Sequence, residues 1–339
     1  MIVTLKSGVK KSDVQAVVAR IKKLGFTPQL SRGAERVVIG VIGEGNKAIG
    51  YKDVFQSMPQ VDTVTPISKP YKVVSRVFKK TDTVIEVNGV KIGGEQIVVM
   101  AGPCSVDTRD NLMSTAKEIK KAGVQILRGG AFKPRTSPYA FQGLGEEALK
   151  FLAEARRVTG MPVITEVMDP RQVDLVERYA DILQIGARNA QNYDLLREVG
   201  RTRKPAMLKR GMATTIEEWL MAAEYIMAKG NENVMLCERG IRTFETATRF
   251  TLDLNAVPVL KTLSHLPVLV DPSHGVGVRD YIVPMAKAAI AAGADGIIIE
   301  SHPNPATALS DGHQALLPAQ LHDIVKGLRR VAEAVGRTL

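Results

Sequence analysis

The stretch Val99-Met-Ala-Gly-Pro-Cys-Ser105 is the point where an apolar strand ends and a helical pattern begins. Ile97 to Met100 is an apolar run, Gly102-Pro103 breaks it, and the turn then presents Cys104. In α/β folds, ligands and chemistry lie where strands end. A lone buried cysteine is more often a small hydrophobe. The meaning of Cys104 therefore depends on which residues stand at the ends of the other strands.

Strand-like and helical patterns alternate from about Glu95 to Leu339. The eight strand-like runs are Ile97–Met100, Gln125–Arg128, Pro162–Val167, Ile182–Ile185, Ala206–Lys209, Val234–Cys237, Pro267–Val270 and Gly296–Glu300. Eight β-α pairs of this kind predict an α/β fold, a (β/α)8 TIM barrel. A doubly wound sheet is the alternative, but no Gly-x-Gly-x-x-Gly follows the first strand.

The first 70 residues have the order β-α-β-β-α-β, which is typical of a small α+β ferredoxin-like domain. Its strand-like runs are Ile2–Leu5, Phe26–Leu30, Val37–Ile42 and Val61–Ile67. We expect domains at residues 1–70 and 95–339, joined by residues 71–94. Lys69–Lys80 is polar and basic and reads as the linker, and a hairpin at Asn88-Gly89 follows it, placed to plug the barrel floor. A structural or oligomerising role and a regulatory role both stay open for the small domain.

Composition restricts the class of protein. The chain has 339 residues, a formal charge of +11 and two cysteines, which argue against a disulfide scaffold. No apolar run approaches the roughly 20 residues of a membrane span, so we expect a cytoplasmic protein that uses no membrane. The basic residues are scattered and form no nucleic-acid signature. Small anionic substrates explain the charge more simply.

Charged or metal-binding side chains follow every predicted barrel strand. They are Cys104; Arg128, Lys133 and Arg135; Glu166; Arg188; Lys209 and Arg210; Glu238 and Arg239; Asp271 and His274; and Glu300, His302 and Asp311. Basic groups follow five of the eight strands, and guanidinium forks suit phosphate and carboxylate. We therefore expect substrates rich in both groups.

Four of these residues form a possible ligand set for a divalent transition metal: Cys104, His274, Glu300 and Asp311. They are far apart in sequence, and only the barrel would bring them together. The alternatives are core packing for Cys104 and a neutral, backbone-bonded loop histidine for His274. Glu300 and Asp311 would then cap helices or pair with arginines.

The ordered set of motifs resembles one family, the 3-deoxy-D-arabino-heptulosonate 7-phosphate (DAHP) synthases, in the subgroup with an N-terminal ferredoxin-like regulatory domain. The motifs are Ala101-Gly-Pro-Cys104, Arg128-Gly-Gly-Ala-Phe-Lys-Pro-Arg-Thr-Ser137, Gly186-Ala-Arg-Asn189, Leu208-Lys-Arg-Gly211, Cys237-Glu-Arg-Gly240, Asp271-Pro-Ser-His274 and Ile299-Glu-Ser-His302. The resemblance implies that phosphoenolpyruvate and erythrose 4-phosphate condense with water, releasing phosphate, in the first step of the shikimate pathway.

The resemblance also implies roles for individual residues. The metal ligands would be Cys104, His274, Glu300 and Asp311, holding Mn, Fe, Zn, Co or a similar cation. Phosphoenolpyruvate would bind Arg128, Lys133, Ala187, Arg188, Lys209 and Arg239, and erythrose 4-phosphate would bind Arg135 and Thr136. Glu166 is the candidate to orient or deprotonate the attacking water, with a metal-bound water as the alternative. Lys209 would protonate the leaving group or hold its phosphate, and His274 would relay a proton.

Two other functions are alternatives. The sister enzyme, 3-deoxy-D-manno-octulosonate 8-phosphate synthase, uses arabinose 5-phosphate and resembles Lys-Ala-Asn-Arg where this chain has Lys133-Pro-Arg-Thr136. A non-catalytic sensor would have lost a ligand or a phosphate arginine, and none is lost. The subgroup further implies feedback by tyrosine or phenylalanine and a homo-oligomer, typically a homotetramer.

Overall fold

The computed structural model describes residues 1–32, 36–43, 47–66 and 70–339. Its N-terminal unit is an antiparallel sheet in the order β2-β3-β1-β4. The strands are β1 Ile2–Leu5, β2 Thr27–Arg32, β3 Val37–Ile42 and β4 Val61–Thr65. The ferredoxin-like prediction is therefore confirmed in its strand order. Ile67 and Lys69, the last residue of one predicted strand and the first of the predicted linker, lie outside the described residues.

The two helices of this unit, α1 Lys11–Lys23 and α2 Lys52–Gln56, pack on one face of the sheet. The 3.6-residue spacing of Val14, Val17 and Ile21 buries one stripe of α1, as the sequence predicts. The opposite face of the sheet contributes Ile2 to the core of the large unit. The sheet is thus covered on both faces.

The segment after the sheet is packed rather than solvated. Tyr71, Val73, Val74 and Phe78 are buried in the core of the large unit. The backbone N–H groups of Val73 and Val74 donate to the carboxylate of Glu224, at 2.9 and 3.0 Å. The description of residues 69–80 as a polar linker therefore misses a buried apolar strip. The charges between its apolar residues concealed it.

The large unit is a closed barrel of eight parallel strands, β7 to β14, in the order expected for a TIM barrel. The strands are β7 Val98–Gly102, β8 Ile126–Arg128, β9 Val163–Glu166, β10 Ile182–Ile185, β11 Ala206–Lys209, β12 Val234–Glu238, β13 Val268–Val270 and β14 Gly296–Glu300. β14 pairs with β7 from Gly296↔Val98 to Glu300↔Gly102, which closes the ring.

Helices surround the barrel and cover its outer face. They are α3 Arg109–Lys121, α4 Glu146–Thr159, α5 Val173–Tyr179, α6 Tyr193–Arg201, α7 Ile216–Met227, α8 Ala256–Leu263, α9 Pro272–Val276, α10 Arg279–Ala291 and α11 Leu321–Ala334. Thr108 caps α3 by accepting from the N–H of Asn111 at 3.2 Å, so this helix begins at Arg109. Among the described residues, no helix has the length and hydropathy needed to cross a bilayer.

The predicted hairpin closes the lower end of the barrel. Its strands are β5 Ile85–Val87 and β6 Val90–Ile92, and both turn residues, Asn88 and Gly89, have positive φ. The hairpin buries its apolar side chains against the inward residues of the barrel strands. The barrel floor is therefore filled by apolar side chains.

Strand alternation places the site at the other end. The inward apolar layer includes Ile126, Ile164, Ile182, Met207, Cys237, Leu269 and Ile298. Side chains two residues apart share a face of a strand, so the next inward positions are Arg128, Glu166, Gln184, Lys209, Arg239, Asp271 and Glu300. Polar side chains from seven strands thus converge above an apolar layer.

Candidate active site

A cavity of about 350 Å³ opens at the carboxyl ends of the barrel strands. Seven of its lining residues are basic: Arg128, Lys133, Arg135, Arg188, Lys209, Arg239 and Arg249. Glu166 and Asp311 are its acidic residues, and His274 also lines it. The excess of cations makes the cavity a receptor for an anion.

The structure brings Cys104, His274, Glu300 and Asp311 together at the base of this cavity. One ligand atom from each residue lies within 4.8 Å of the others. Glu300 Oε1 lies 3.1 Å from His274 Nε2, and Cys104 Sγ lies 3.0 Å from Asp311 Oδ2. A thiol, an imidazole and two carboxylates are the donors that divalent transition metals prefer. The four residues fit such an ion in chemistry and spacing.

Asp271 fixes the orientation of His274. It caps the short helix α9 by accepting from the N–H of His274 at 2.9 Å, and its Oδ2 lies 2.7 Å from His274 Nδ1. Lys209 Nζ also donates to Asp271 Oδ2, at 2.5 Å. Burial would lower the pKa of His274, but Asp271 and Glu300 raise it to about 9. The imidazole thus has carboxylate partners, not only the backbone, and Nε2 faces the cluster.

Two cations are held against the cluster itself. Arg128 Nη1 donates to Glu300 Oε1 at 3.1 Å, and Lys133 Nζ donates to Cys104 Sγ at 2.6 Å. Burial opposes the charge of Lys133, but Cys104, Glu300 and Asp311 raise its pKa above the ordinary value. Both cations therefore stay charged although they are almost fully buried.

Three further arginines in the cavity form no ion pair with any residue in the described ranges: Arg135, Arg188 and Arg239. Arg239 is only 6% exposed, its guanidinium lies 4.1 Å from the Phe250 ring centroid, and its Nη1 has no hydrogen-bond partner. Burial lowers the pKa of Arg239, and the charges of Asp271 and Glu238 offset this effect only in part. A buried cation of this kind is costly unless an anion joins it.

Glu166 projects into the cavity from the end of β9. Its Oε2 accepts from Gln184 Nε2 at 3.2 Å, and its Oε1 is buried without a partner. A Cβ added to Gly186 would lie 2.0 Å from Oε1, so glycine makes room for the carboxylate. One carboxylate oxygen is therefore held, while the other is free to meet a ligand.

Not every strand-end charge belongs to the cavity. Ala187 and Thr136 line the cavity. Arg210 and Glu238 instead pair with each other at 2.9 Å below the loops, and Arg210 also pairs with Asp253. His302 Nε2 lies 2.8 Å from Asp107 Oδ2, outside the lining residues.

Sequence reasoning missed Gln184, Arg249 and Gln314. Gln184 had a signal, because it is a polar residue at an inward position of an otherwise apolar strand. Arg249 lies in the long segment between β12 and α8, and Gln314 lies in a 3₁₀ turn. Neither segment has a periodic pattern that would have identified them.

Known proteins similar to this chain cover nearly all of its length. Residues 78–336 match the DAHP synthetase I family, and residues 1–69 match the DAHP synthase ferredoxin-like domain. The phospho-2-dehydro-3-deoxyheptonate aldolase of Thermotoga maritima is 51% identical over 336 residues, which is 99% of each chain. The 2-dehydro-3-deoxyphosphooctonate aldolase of Acidithiobacillus ferrooxidans is 31% identical over 70% of this chain and 90% of its own.

Solved structures agree with these matches. The crystal structure of the Thermotoga maritima DAHP synthase has a TM-score of 0.79 and 50% identity, covering 99% of this chain and 98% of that one. A truncated form of the enzyme from the same organism has a TM-score of 0.74 and covers 79% of this chain and 98% of that one. The chain therefore belongs to the DAHP synthetase I family.

Proposed function

We propose that this protein is a DAHP synthase, which joins phosphoenolpyruvate to erythrose 4-phosphate and water and releases inorganic phosphate. One observation carries the proposal: arginines that form no ion pair within the described ranges lie above a cluster of cysteine, histidine and carboxylates in a chain of this family. Both substrates are anions, and one is an aldehyde. The cavity offers cations for the anionic groups and a ligand set for an electrophilic ion.

Phosphoenolpyruvate would lie deepest in the cavity. Arg239 and Arg188 would bind its phosphate, with the backbone N–H of Ala187, because these cations have no carboxylate partner within the described ranges. Arg128 and Lys133 would bind its carboxylate, next to the cluster that they already contact. This placement would pair the buried charge of Arg239 with an anion.

Cys104, His274, Glu300 and Asp311 would hold the divalent metal, with Mn, Fe, Zn and Co as candidates. When bound, such an ion supplies Lewis-acid polarisation of the aldehyde carbonyl of erythrose 4-phosphate. Arg135 and Thr136 line the outer part of the cavity and would bind that substrate, with Arg135 on its phosphate. The aldehyde would then point inward, toward C3 of phosphoenolpyruvate.

The protein's own groups would move the protons. As C3 attacks the aldehyde carbon, the carbonyl oxygen takes a proton from Lys133 and becomes a hydroxyl. Water adds to the cationic C2 and gives a proton to Glu166, whose Oε1 has no partner. The hemiketal phosphate then breaks its C2–O bond to phosphate. Lys209 protonates the departing phosphate, and the hydroxyl proton leaves to solvent.

Phosphate release tests the reaction and the metal together. We expect release with erythrose 4-phosphate, little with arabinose 5-phosphate, loss after exhaustive chelation and recovery with Mn²⁺. Cys104→Ser should weaken the response to added Mn²⁺, whereas Cys237→Ala, which alters a buried thiol outside the cluster, should keep it. A preference for arabinose 5-phosphate would contradict the role of residues 133–136. Activity that survives chelation would contradict the metal site.

The N-terminal unit would be regulatory. We propose domains at residues 1–70 and 95–339, joined by residues 71–94, and inhibition by tyrosine or phenylalanine in a homo-oligomer, most simply a tetramer. The match of residues 1–69 to the DAHP synthase ferredoxin-like domain supports this proposal. Steady-state rates with each amino acid, beside sedimentation of the same samples, test it. No inhibition by either amino acid would contradict it.

A further inference from the structure

In each carboxylate of the candidate metal cluster, one oxygen contacts the other cluster residues and the second oxygen contacts a residue outside the cluster. Glu300 Oε1 lies 3.1 Å from both Arg128 Nη1 and His274 Nε2, inside the cluster, whereas its Oε2 accepts from Gln314 Nε2 at 2.7 Å. Asp311 Oδ2 lies 3.0 Å from Cys104 Sγ, whereas its Oδ1 lies 3.3 Å from Arg249 Nη1. Each carboxylate has one oxygen inside and one held outside.

A single pair of side chains holds both outer oxygens. Gln314 is fully buried, and its Oε1 accepts from Arg249 Nη1 at 2.9 Å. This cationic donor fixes the amide orientation, because a flipped amide would turn its NH₂ toward Arg249 and its oxygen toward Glu300. Gln314 Nε2 must therefore donate to Glu300. Arg249 and Gln314 form one connected unit, which we name the carboxylate bracket.

The backbone around the carboxylate bracket is closely constrained. Asp311 has φ of +49°, and the 3₁₀ turn Gly312–Gln314 comes directly after it. A Cβ added to Gly312 would lie 2.1 Å from the carbonyl oxygen of Pro305, so the turn is packed tightly. One tightly packed turn thus positions both Asp311 and Gln314.

Arg249 is anchored from a different loop. Its backbone N–H donates to the carbonyl of Val276 at 2.9 Å, while its side chain, 32% exposed, lines the cavity. The carboxylate bracket therefore joins the segment after β12 to the turn after β14. It needs both segments to be in place.

We propose that Arg249 and Gln314 are positioning residues that restrict Glu300 and Asp311 to one oxygen each toward the metal, so that the protein supplies four donor atoms and a position stays open for the aldehyde oxygen. This inference rests on the metal-dependent function proposed above. A carboxylate that loses its outer partner can rotate and chelate the ion with both oxygens. Because Gln314 is neutral, it orients Glu300 without adding a charge of its own. Outer hydrogen bonds of this type commonly change metal affinity 10- to 100-fold.

Cobalt spectroscopy of the full chain tests the proposal without using activity. Co²⁺ is titrated into metal-free wild type, Gln314→Leu, Arg249→Met and the double variant. We expect a thiolate-to-cobalt charge-transfer band in all four. In Gln314→Leu the d–d absorptivity should fall, because the coordination number rises, and the dissociation constant should increase about 10- to 100-fold.

The second variant separates positioning from folding. Arg249→Met changes a partly exposed side chain and should shift the spectrum in the same direction by a smaller amount, while Arg249→Lys should recover part of it. Since Arg249 orients Gln314, the double variant should be little worse than Gln314→Leu alone. Asn231→Leu is the matched control, because Asn231 is a buried amide that bonds the carbonyls of Val199 and Lys204. It should leave the cobalt spectrum unchanged.

The outcomes separate the two proposals. A wild type with no charge-transfer band would overturn the metal site and the carboxylate bracket with it. A normal wild-type spectrum that neither Gln314→Leu nor Arg249→Met alters would overturn the carboxylate bracket alone. If Gln314→Leu does not fold, an unchanged spectrum in Arg249→Met is sufficient to reject the proposal.

Discussion

The mouth and the floor of the barrel are built from the same eight strands, yet they treat polar groups in opposite ways. At the floor, Asp295 is fully buried and accepts from Lys261 at 3.1 Å, Arg337 at 2.9 Å and the N–H of Val268 at 2.8 Å. At the mouth, Arg239 is almost as deeply buried, but its Nη1 has no hydrogen-bond partner in the part of the chain that the structure describes. Among the described residues, Asp295 at the floor has all these partners, whereas Arg239 Nη1 and Glu166 Oε1 at the mouth have none.

The floor histidine completes the contrast. His265 Nε2 lies 2.8 Å from the carbonyl of Val73, and its Nδ1 lies 2.8 Å from Thr83 Oγ1, which also accepts from Lys79. This chain of bonds gives His265 a neutral ring with both nitrogens used. His274 at the mouth keeps Nε2 directed at a carboxylate cluster. A structural site gives each of its buried polar groups a partner within the protein. A catalytic site leaves some of its polar groups without such a partner.

The largest difference that we predict between the mouth and the floor is in catalysis. Arg239→Met removes an unpaired cation from the proposed phosphate site, so kcat/KM should fall about a thousandfold, as for loss of a strong preorganised donor. Arg337→Met, at the floor, is the control and should stay within about twofold. Initial rates over both substrate concentrations measure this. Equal losses in the two variants would erase the distinction between mouth and floor.

The next effect is on stability at the floor. Asp295→Leu leaves Lys261 and Arg337 without their buried partner, and breaking such a pair should lower the free energy of unfolding by about 3 kcal/mol. The kcat of the folded variant should change little. Urea unfolding beside steady-state kinetics measures both quantities. A catalytic loss without a stability loss would contradict the structural role of Asp295.

Alanine substitutions at two glycines, one at the mouth and one at the floor, should have smaller effects on kcat and stability. Gly186→Ala places a Cβ against Glu166 Oε1, so kcat should fall about a hundredfold through misplacement of that carboxylate. Gly89→Ala, in the floor hairpin at φ +82°, should cost about 1 kcal/mol of stability and leave kcat unchanged. An unchanged kcat in Gly186→Ala would remove Glu166 from the reaction.

The smallest effect is a pH dependence from the floor. Burial lowers the pKa of His265 to about 4, against 6.5 when unfolded, so the unfolded chain binds more protons between these values. Stability from this residue is complete above pH 6.5 and is lost as the pH falls toward 4. At pH 5 the loss is about 2 kcal/mol. The stability difference between His265→Gln and wild type should shift by this amount between pH 7.5 and pH 5, whereas a constant difference would contradict the assignment.

The sequence contained most of the fold because strand alternation is a local signal. Apolar runs ending in charge predicted all eight barrel strands, and Asn88-Gly89 predicted the hairpin. The buried strip from Tyr71 to Phe78 was not predicted, since its apolar residues have no regular period and cover a surface made by distant elements.

The site was less predictable than the fold. Cys104 and Asp311 come together only because the barrel closes. The sequence implied that closure only through the order of its strands. Arg249 and Gln314 meet across 65 residues through two irregular segments, so no local pattern marks them. Pairing is also invisible in sequence. Arg210 and Arg239 both follow strands, but of the two only Arg210 forms an ion pair with a carboxylate within the described ranges.

Ligand-linked unfolding tests the central claim most directly, with the buried fluorescence of Trp219, the single tryptophan, as the probe. Phosphoenolpyruvate at about 100 times its dissociation constant should raise the unfolding free energy of the wild type by about 2.7 kcal/mol. Arg239→Met should be at least as stable as the wild type without ligand, and the same ligand concentration should stabilise it far less. A variant that is less stable than the wild type without ligand, yet equally stabilised by phosphoenolpyruvate, would show that Arg239 is structural. It would contradict the claim that Arg239 at the mouth binds an anion.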